Sequence, residues 1–186
     1  NRVTKSKFLN FLTTFSVCGY AIPGVILAVA YISFVSWFDN NFISFFEIKS
    51  IKSIFIGSII GLVVVYFVRF YSLASNGIKS GYLKINYSID ESSYLLGYSK
   101  LKTFLNIHVP YLKNSVLLIG ILIAIEIIKE LPITLILRPF NFETFATQAY
   151  IFASQDLLEA AAAPSLFLII IASLFILTTY RYILKD

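Results

Sequence analysis

Methionine is absent from all 186 residues, cysteine and histidine occur once each, and only 13% of the chain is charged. Without methionine there is no start residue, and no charged leader with a short apolar core and cleavage site opens the chain. The sequence is therefore expected to be a fragment that begins mid-protein. A lone Cys18 can build neither a disulfide framework nor a metal quartet, and its apolar neighbours mark it as a buried structural thiol. His108 has no second histidine or cysteine near it, so it makes no metal site. A glycine-rich phosphate loop is missing, as is any Ser-His-Asp arrangement, and no catalytic constellation is expected.

What the chain does have is apolar length. Hydrophobic residues make up 58% and the mean hydropathy is +0.82, above the roughly 45–50% apolar content of soluble domains. A span needs about 20 mostly apolar residues, and four stretches qualify: Phe8 to Phe38, Ile54 to Leu73, Ser115 to Leu137 and Leu157 to Tyr182. Eleven of the fifteen basic residues, Lys79, Lys84, Lys100 and Lys102 among them, fall on one side if the N-terminus and the Ser75 to Asn114 loop share it. The positive-inside rule makes that side cytoplasmic and turns Asp39, Glu47, Glu143 and Asp156 outward. The net charge of +5 then marks membrane loops, and no nucleic-acid partner is expected.

Within the spans, Pro23 removes a backbone donor and Gly24 loosens the turn behind it, which predicts a kink. That kink serves either as a tolerated bend or as a hinge beside a substrate path. Gly57 and Gly61 have the four-residue spacing of close helix packing. Trp37, Tyr66 and Tyr71 fit interfacial anchors, and Arg69 is expected to snorkel to the headgroups. Glu126, Lys129 and Glu130 share a helix face, where ionisable groups should turn toward the bundle or water. If Lys129 neutralises one glutamate, a net negative face is left, either an ion-pair patch or part of a path suited to a cation. Pro132 breaks the helix and leaves an outer re-entrant or interfacial segment. There Arg138, Asn141 and Glu143 are candidates for shaping an outer gate or meeting an external partner.

The stretch ESSYLLGYSKLKTFLNIHVP, Glu91 to Pro110, is a polar island between apolar spans. Ser88 and Glu91 have capping-box spacing, so a short helix is expected from about Ile89. Gly97 can end it in the left-handed conformation at no Cβ penalty. Ser99 can cap a second helix whose Leu101, Phe104, Leu105 and His108 share a face, and Pro110 is expected to stop it or to sit in the first turn of the next span. Such a helical pair can lie among lipid headgroups or insert into a groove on a soluble partner, and the residues by themselves leave both open.

Glu91, Ser92 and Ser93, then Gly97, then Ile107 and Pro110, resemble the EAA motif of permease subunits of binding-protein-dependent ABC importers. Glutamate, glycine, isoleucine and proline match in spacing; serines replace the two alanines, and Val109 replaces a leucine. More narrowly, KELPITLILRPFNFETFATQAY (Lys129 to Tyr150), GYAIPG and EAAAAPSLFLI are similar to segments of ferric-iron permeases. The resemblance implies an all-α, polytopic membrane helix bundle of the type I ABC importer permease kind. Residues 1–186 would be the C-terminal part of one transmembrane domain, with four transmembrane helices and a cytoplasmic coupling element over 84–110.

It further implies a bacterial plasma (inner) membrane protein that imports ferric iron, with thiamine, phosphonate or polyamine as alternative cargo. Glu91, Ser92, Ser93, Gly97, Ile107 and Pro110 would couple to a separate cytoplasmic ABC ATPase, which uses ATP and Mg, while this chain binds no cofactor. Pro23, Glu126, Lys129 and Glu130 would be candidates for the translocation path. An extracytoplasmic substrate-binding protein, a homologous permease half and the lipid bilayer complete the implied partners. A membrane-embedded enzyme using Glu126, Glu130 and His108, or a simple membrane anchor, are the rival readings.

Overall fold

The computed structural model describes residues 18–43 and 55–183. Among them every regular element is helical. A 3-10 turn (Cys18–Tyr20) precedes α1 (Gly24–Phe38), which runs into a π turn over Asp39–Ile43. Next come α2 (Ile59–Leu83) and the short α3 (Tyr87–Leu95). The fourth helix, α4 (Lys100–Ile128), holds a π turn over Phe104–His108. It is followed by α5 (Pro132–Leu137), α6 (Phe145–Ser154) and α7 (Leu158–Ile183). Among the described residues three helices, over Ile59–Leu83, Lys100–Ile128 and Leu158–Arg181, are long and apolar enough to cross a membrane. Residues 8–17 of the first expected span lie outside the described residues; the rest is the Cys18–Tyr20 turn, a break and α1 rather than one continuous helix.

Local chemistry sets most of the helix ends. The Ser58 hydroxyl accepts from Gly61 N at 3.1 Å and starts α2, satisfying a donor the helix itself leaves orphaned. Thr144 and Thr147 form a reciprocal box that opens α6. Asp156, at φ 59°, ends that helix, and Leu157 N returns to Phe152 O. That is the wrap of a left-handed C-cap, which aspartate tolerates better than most residues. The turn lays α7 back along α6, where Phe145 stacks on Phe167 with centroids 5.5 Å apart.

Antiparallel α2 and α4 pack through glycines. A Cβ on Gly77 would lie 2.5 Å from Ile119 Cγ1, and one on Gly81 would lie 3.0 Å from both Leu112 Cδ2 and Ser115 Cβ. The close-packing pair is thus Gly77 and Gly81. Gly57, by contrast, sits in a turn at φ 68° with open space around it, and Gly61 is crowded by Phe55 O of its own segment and the Tyr31 hydroxyl of α1. Gly81→Leu is expected to cost about 1–3 kcal/mol by overpacking this seam, read as a lower unfolding midpoint in detergent. Gly77→Ala should do less harm, because the Ile119 side chain can move. An unchanged midpoint for Gly81→Leu would refute this packing.

At the other end of α2, Ala28, Leu62, Val65, Ile133 and Leu137 form the buried core shared by α1, α2 and α5. Two expectations change here. Pro23 does not kink a continuous helix: with φ −54° and ψ 137° it is the N-cap residue of α1, and the chain breaks before it. Tyr66 is no interfacial anchor, since its hydroxyl is hydrogen-bonded to Thr134 of α5.

Candidate functional site

Two polar clusters stand out, one at each end of α4. The first is the island. Asn86 accepts from Ser88 N at 3.4 Å and α3 starts at Tyr87, so Ser88 lies inside the helix and the expected Ser88–Glu91 box does not form. Ile85, 1% exposed, is buried just before the helix. At the far end Gly97 has φ 80°; Gly97 N bonds Tyr94 O at 3.0 Å and Tyr98 N bonds Ser93 O at 3.0 Å. This is the Schellman closure expected of a glycine there. Ser99 then caps α4 through Lys102 N.

The facing sides of α3 and α4 are joined by polar groups. His108 Nε2 donates to Asp90 Oδ1 at 2.6 Å, and the Ser93 and Thr103 hydroxyls are 2.9 Å apart. Asp90, Ser93, Thr103 and His108 are all buried. Breaking either buried pair would leave a costly unpaired group; His108 Nδ1, by contrast, is buried without a hydrogen-bond partner among the described residues. The expected apolar face is not the buried one: Leu101, Phe104 and Leu105 are exposed. Pro110 does not interrupt the helical run, which continues to Ile128, but it does sit in the first turn of the apolar α-helical stretch that opens at Val109, as expected.

Beside the joint, Ser92, Ser93, Leu96, Tyr98 and Ile107 help to line a shallow groove of about 250 Å³. Glu91 and Pro110 are exposed, and Lys102 Nζ sits 4.6 Å from the Tyr98 ring centroid. Leu95 and Leu96 are 89% and 78% exposed and Leu101 is 68% exposed. The six motif residues thus lie on α3, its turn and the start of α4, where Ser93 is buried and the exposed side chains include apolar Leu95, Leu96 and Leu101, basic Lys100 and Lys102 and acidic Glu91. Asp90 and Thr103 were not singled out in the sequence, because two isolated small polar residues have no period to detect.

The second cluster lies where two interrupted segments meet α2. Arg69 is ten residues into α2, about 15 Å from its start. Its Nε is 3.5 Å from Glu130 Oε2, and its Nη1 donates to Ile22 O at 3.2 Å. Arg69 therefore does not snorkel to the headgroups; a carboxylate within the bundle holds it. It also leaves the tally of basic residues that mark the inner side. Glu130, 8% exposed, follows the end of α4, and its Oε1 accepts from Ile133 N at 3.3 Å at the start of α5. A Cβ on Gly24 would approach Arg69 Nη1 to 2.9 Å and Glu130 Oε1 to 3.0 Å, so a glycine there leaves room for the pair.

Glu126 pairs separately with Lys129 at 2.7 Å. The two carboxylates thus each have a cationic partner, and the expected net negative face is absent. Arg69 closes this balance; the sequence offered its charge but not its depth. In the loop after α5, Arg138 pairs with Glu143 and donates to Phe142 O at 3.3 Å, with Asn141 left-handed at φ 61° between them. Those three residues hold a turn. Among the described residues no group of three His, Cys, Asp or Glu could hold a metal ion. No protein-family model matches this chain, and no curated protein matches it significantly.

Proposed function

We propose that this chain is part of the permease subunit of a binding-protein-dependent ABC importer in a bacterial plasma membrane, with α1 as part of a fourth span. The observation that carries the reading is the island. A polar joint fixes α3 and the start of α4 in one geometry while their outer surface, Leu95, Leu96 and Leu101 with Lys100 and Lys102, stays uncovered. An exposed apolar surface rimmed by charge suits a protein partner, and the motif resemblance makes that partner a cytoplasmic ATPase. ATP-driven closure of the ATPase pair would pull this element and tilt α4, exposing the path alternately by rigid-body motion.

Two broken segments meeting at a charged pair within the bundle fit a transporter, where non-helical backbone at membrane depth borders the path. The enzyme alternative loses support, because about 30 Å of helix separates His108 from the end of α4 beside Glu130. Ferric iron is the cargo on the resemblance of Lys129 to Tyr150; the balanced charges of Glu126, Lys129, Glu130 and Arg69 supply no separate argument for a cation.

The test is reconstitution of the full-length permease with its ATPase and binding protein, measuring ATP-dependent uptake of labelled ferric iron against thiamine. Iron uptake is expected. Uptake of thiamine alone would overturn the cargo, and no ATP-dependent uptake of either, with no ATPase recovered, would overturn the permease.

A further inference from the structure

The π turn in α4 falls immediately before Pro110. Proline has no N–H to give the carbonyl one turn back, and here the helix answers with a wide turn in which Val109 N bonds Phe104 O. In a regular helix, residues five apart lie about 140° from one another. Widening the turn brings Thr103 and His108 to the same side, and both reach α3: Thr103 meets Ser93 at 2.9 Å and His108 meets Asp90 at 2.6 Å. The residues that regular periodicity would group with His108, namely Leu101, Phe104 and Leu105, are 68%, 44% and 53% exposed. Pro110 itself is exposed, so its own packing does not explain the turn.

We propose that Pro110 and His108 are positioning residues: the π turn set by Pro110 presents His108 to Asp90, so that α3 and α4 move as one body when a partner pulls on the island. The force-transfer half rests on the importer reading; the turn does not. Asp90–His108 lies at the island end of α4, and Glu130–Arg69 lies at the other. A rigid joint at the first delivers motion to the second along one continuous helix. A loose joint would let α3 swing while α4 stayed still.

The experiment uses the full-length permease with its ATPase and binding protein in proteoliposomes, with ring-labelled histidine. His108 is the one histidine in these 186 residues, and His108→Gln assigns its imidazole nitrogen resonances. Asp90→Asn and Pro110→Ala are both expected to shift the Nε2 resonance, because each removes or rotates away its acceptor. Lys113→Gln, exposed further along α4, should leave it in place. Pro110→Ser, which also restores the N–H, substitutes if the alanine variant does not reach the membrane.

Substrate imported per ATP hydrolysed is expected to fall about fivefold in Pro110→Ala, within the range seen for residues that couple distant sites, with the ATPase still recovered. An unmoved resonance in Pro110→Ala and Pro110→Ser overturns the turn's role. A moved resonance with an unchanged import ratio overturns force transfer. Failure of wild-type protein to recover any ATPase would strike the importer reading alone, with the resonances still deciding the turn.

Discussion

Replacing Glu130 with alanine is expected to destabilise the folded protein by about 3–5 kcal/mol, because it strands the Arg69 guanidinium in the bundle without its carboxylate. Arg69 sits deep within α2, and its other contacts are the Ile22 carbonyl and the rings of Tyr20 and Phe70, each about 6.0 Å from Cζ. None of these neutralises it. Glu130 also accepts from Ile133 N and so starts α5; alanine removes that acceptor too.

Removing both charges, as Arg69→Leu with Glu130→Leu, should recover much of the loss, since a buried ion pair can often be exchanged for apolar side chains at little cost. The measurement is a double-mutant cycle on the unfolding midpoint of the purified protein in detergent. Losses that simply add would show that the two groups do not act as a pair. Transport should fall in the double variant even where stability returns, if the junction belongs to the path; full uptake would leave it a packing element.

Gly97→Val is expected to abolish recovery of the ATPase while leaving the protein in the membrane. Gly97 holds φ 80°, a region costing an L-residue roughly 1–2 kcal/mol and a β-branched one more. The island has little apolar packing to offset that cost: Ile85 is its deeply buried hydrophobe, and the rest of its interior is Asp90, Ser93, Thr103 and His108. Strain at Gly97 should therefore undo the Tyr94 and Ser93 closure and separate α3 from α4, without reaching the Ala28 and Leu62 core. Gly97→Asn should keep most of the docking, since asparagine visits the left-handed region more readily. The check is co-purification of the ATPase with tagged permease; normal partner recovery and uptake in Gly97→Val would remove the turn from the mechanism.

Features set by a few neighbouring residues were legible in the sequence. A run of apolar residues, a glycine where a helix must reverse, a serine ahead of a helix and a proline that breaks one all act within a turn or two. Hence the apolar parts of α2, α4 and α7, the Gly97 turn, the Ser99 cap and the break before Pro132 follow from the chain itself, whereas the continuity of α4 through Pro110 did not. Asn86 and Ser88 show where this stops. Both can cap a helix, and in the structure Asn86 is the one that does.

The remaining features depended on which surfaces meet. The sequence contains Arg69 and Glu130, but only the packing of α2 against the end of α4 brings them together. Glycines at four-residue spacing occur both at Gly57 and Gly61 and at Gly77 and Gly81, and contact with α4 distinguishes them. The face of α4 that meets α3 was hidden from any 3.6-residue count, because the π turn before Pro110 shifts the register by a residue. Local propensities are fixed by backbone sterics and short-range hydrogen bonds, so the sequence determined them directly. Charge pairing, buried polar contacts and helix register depend on groups distant in the chain, and the tertiary structure decided those.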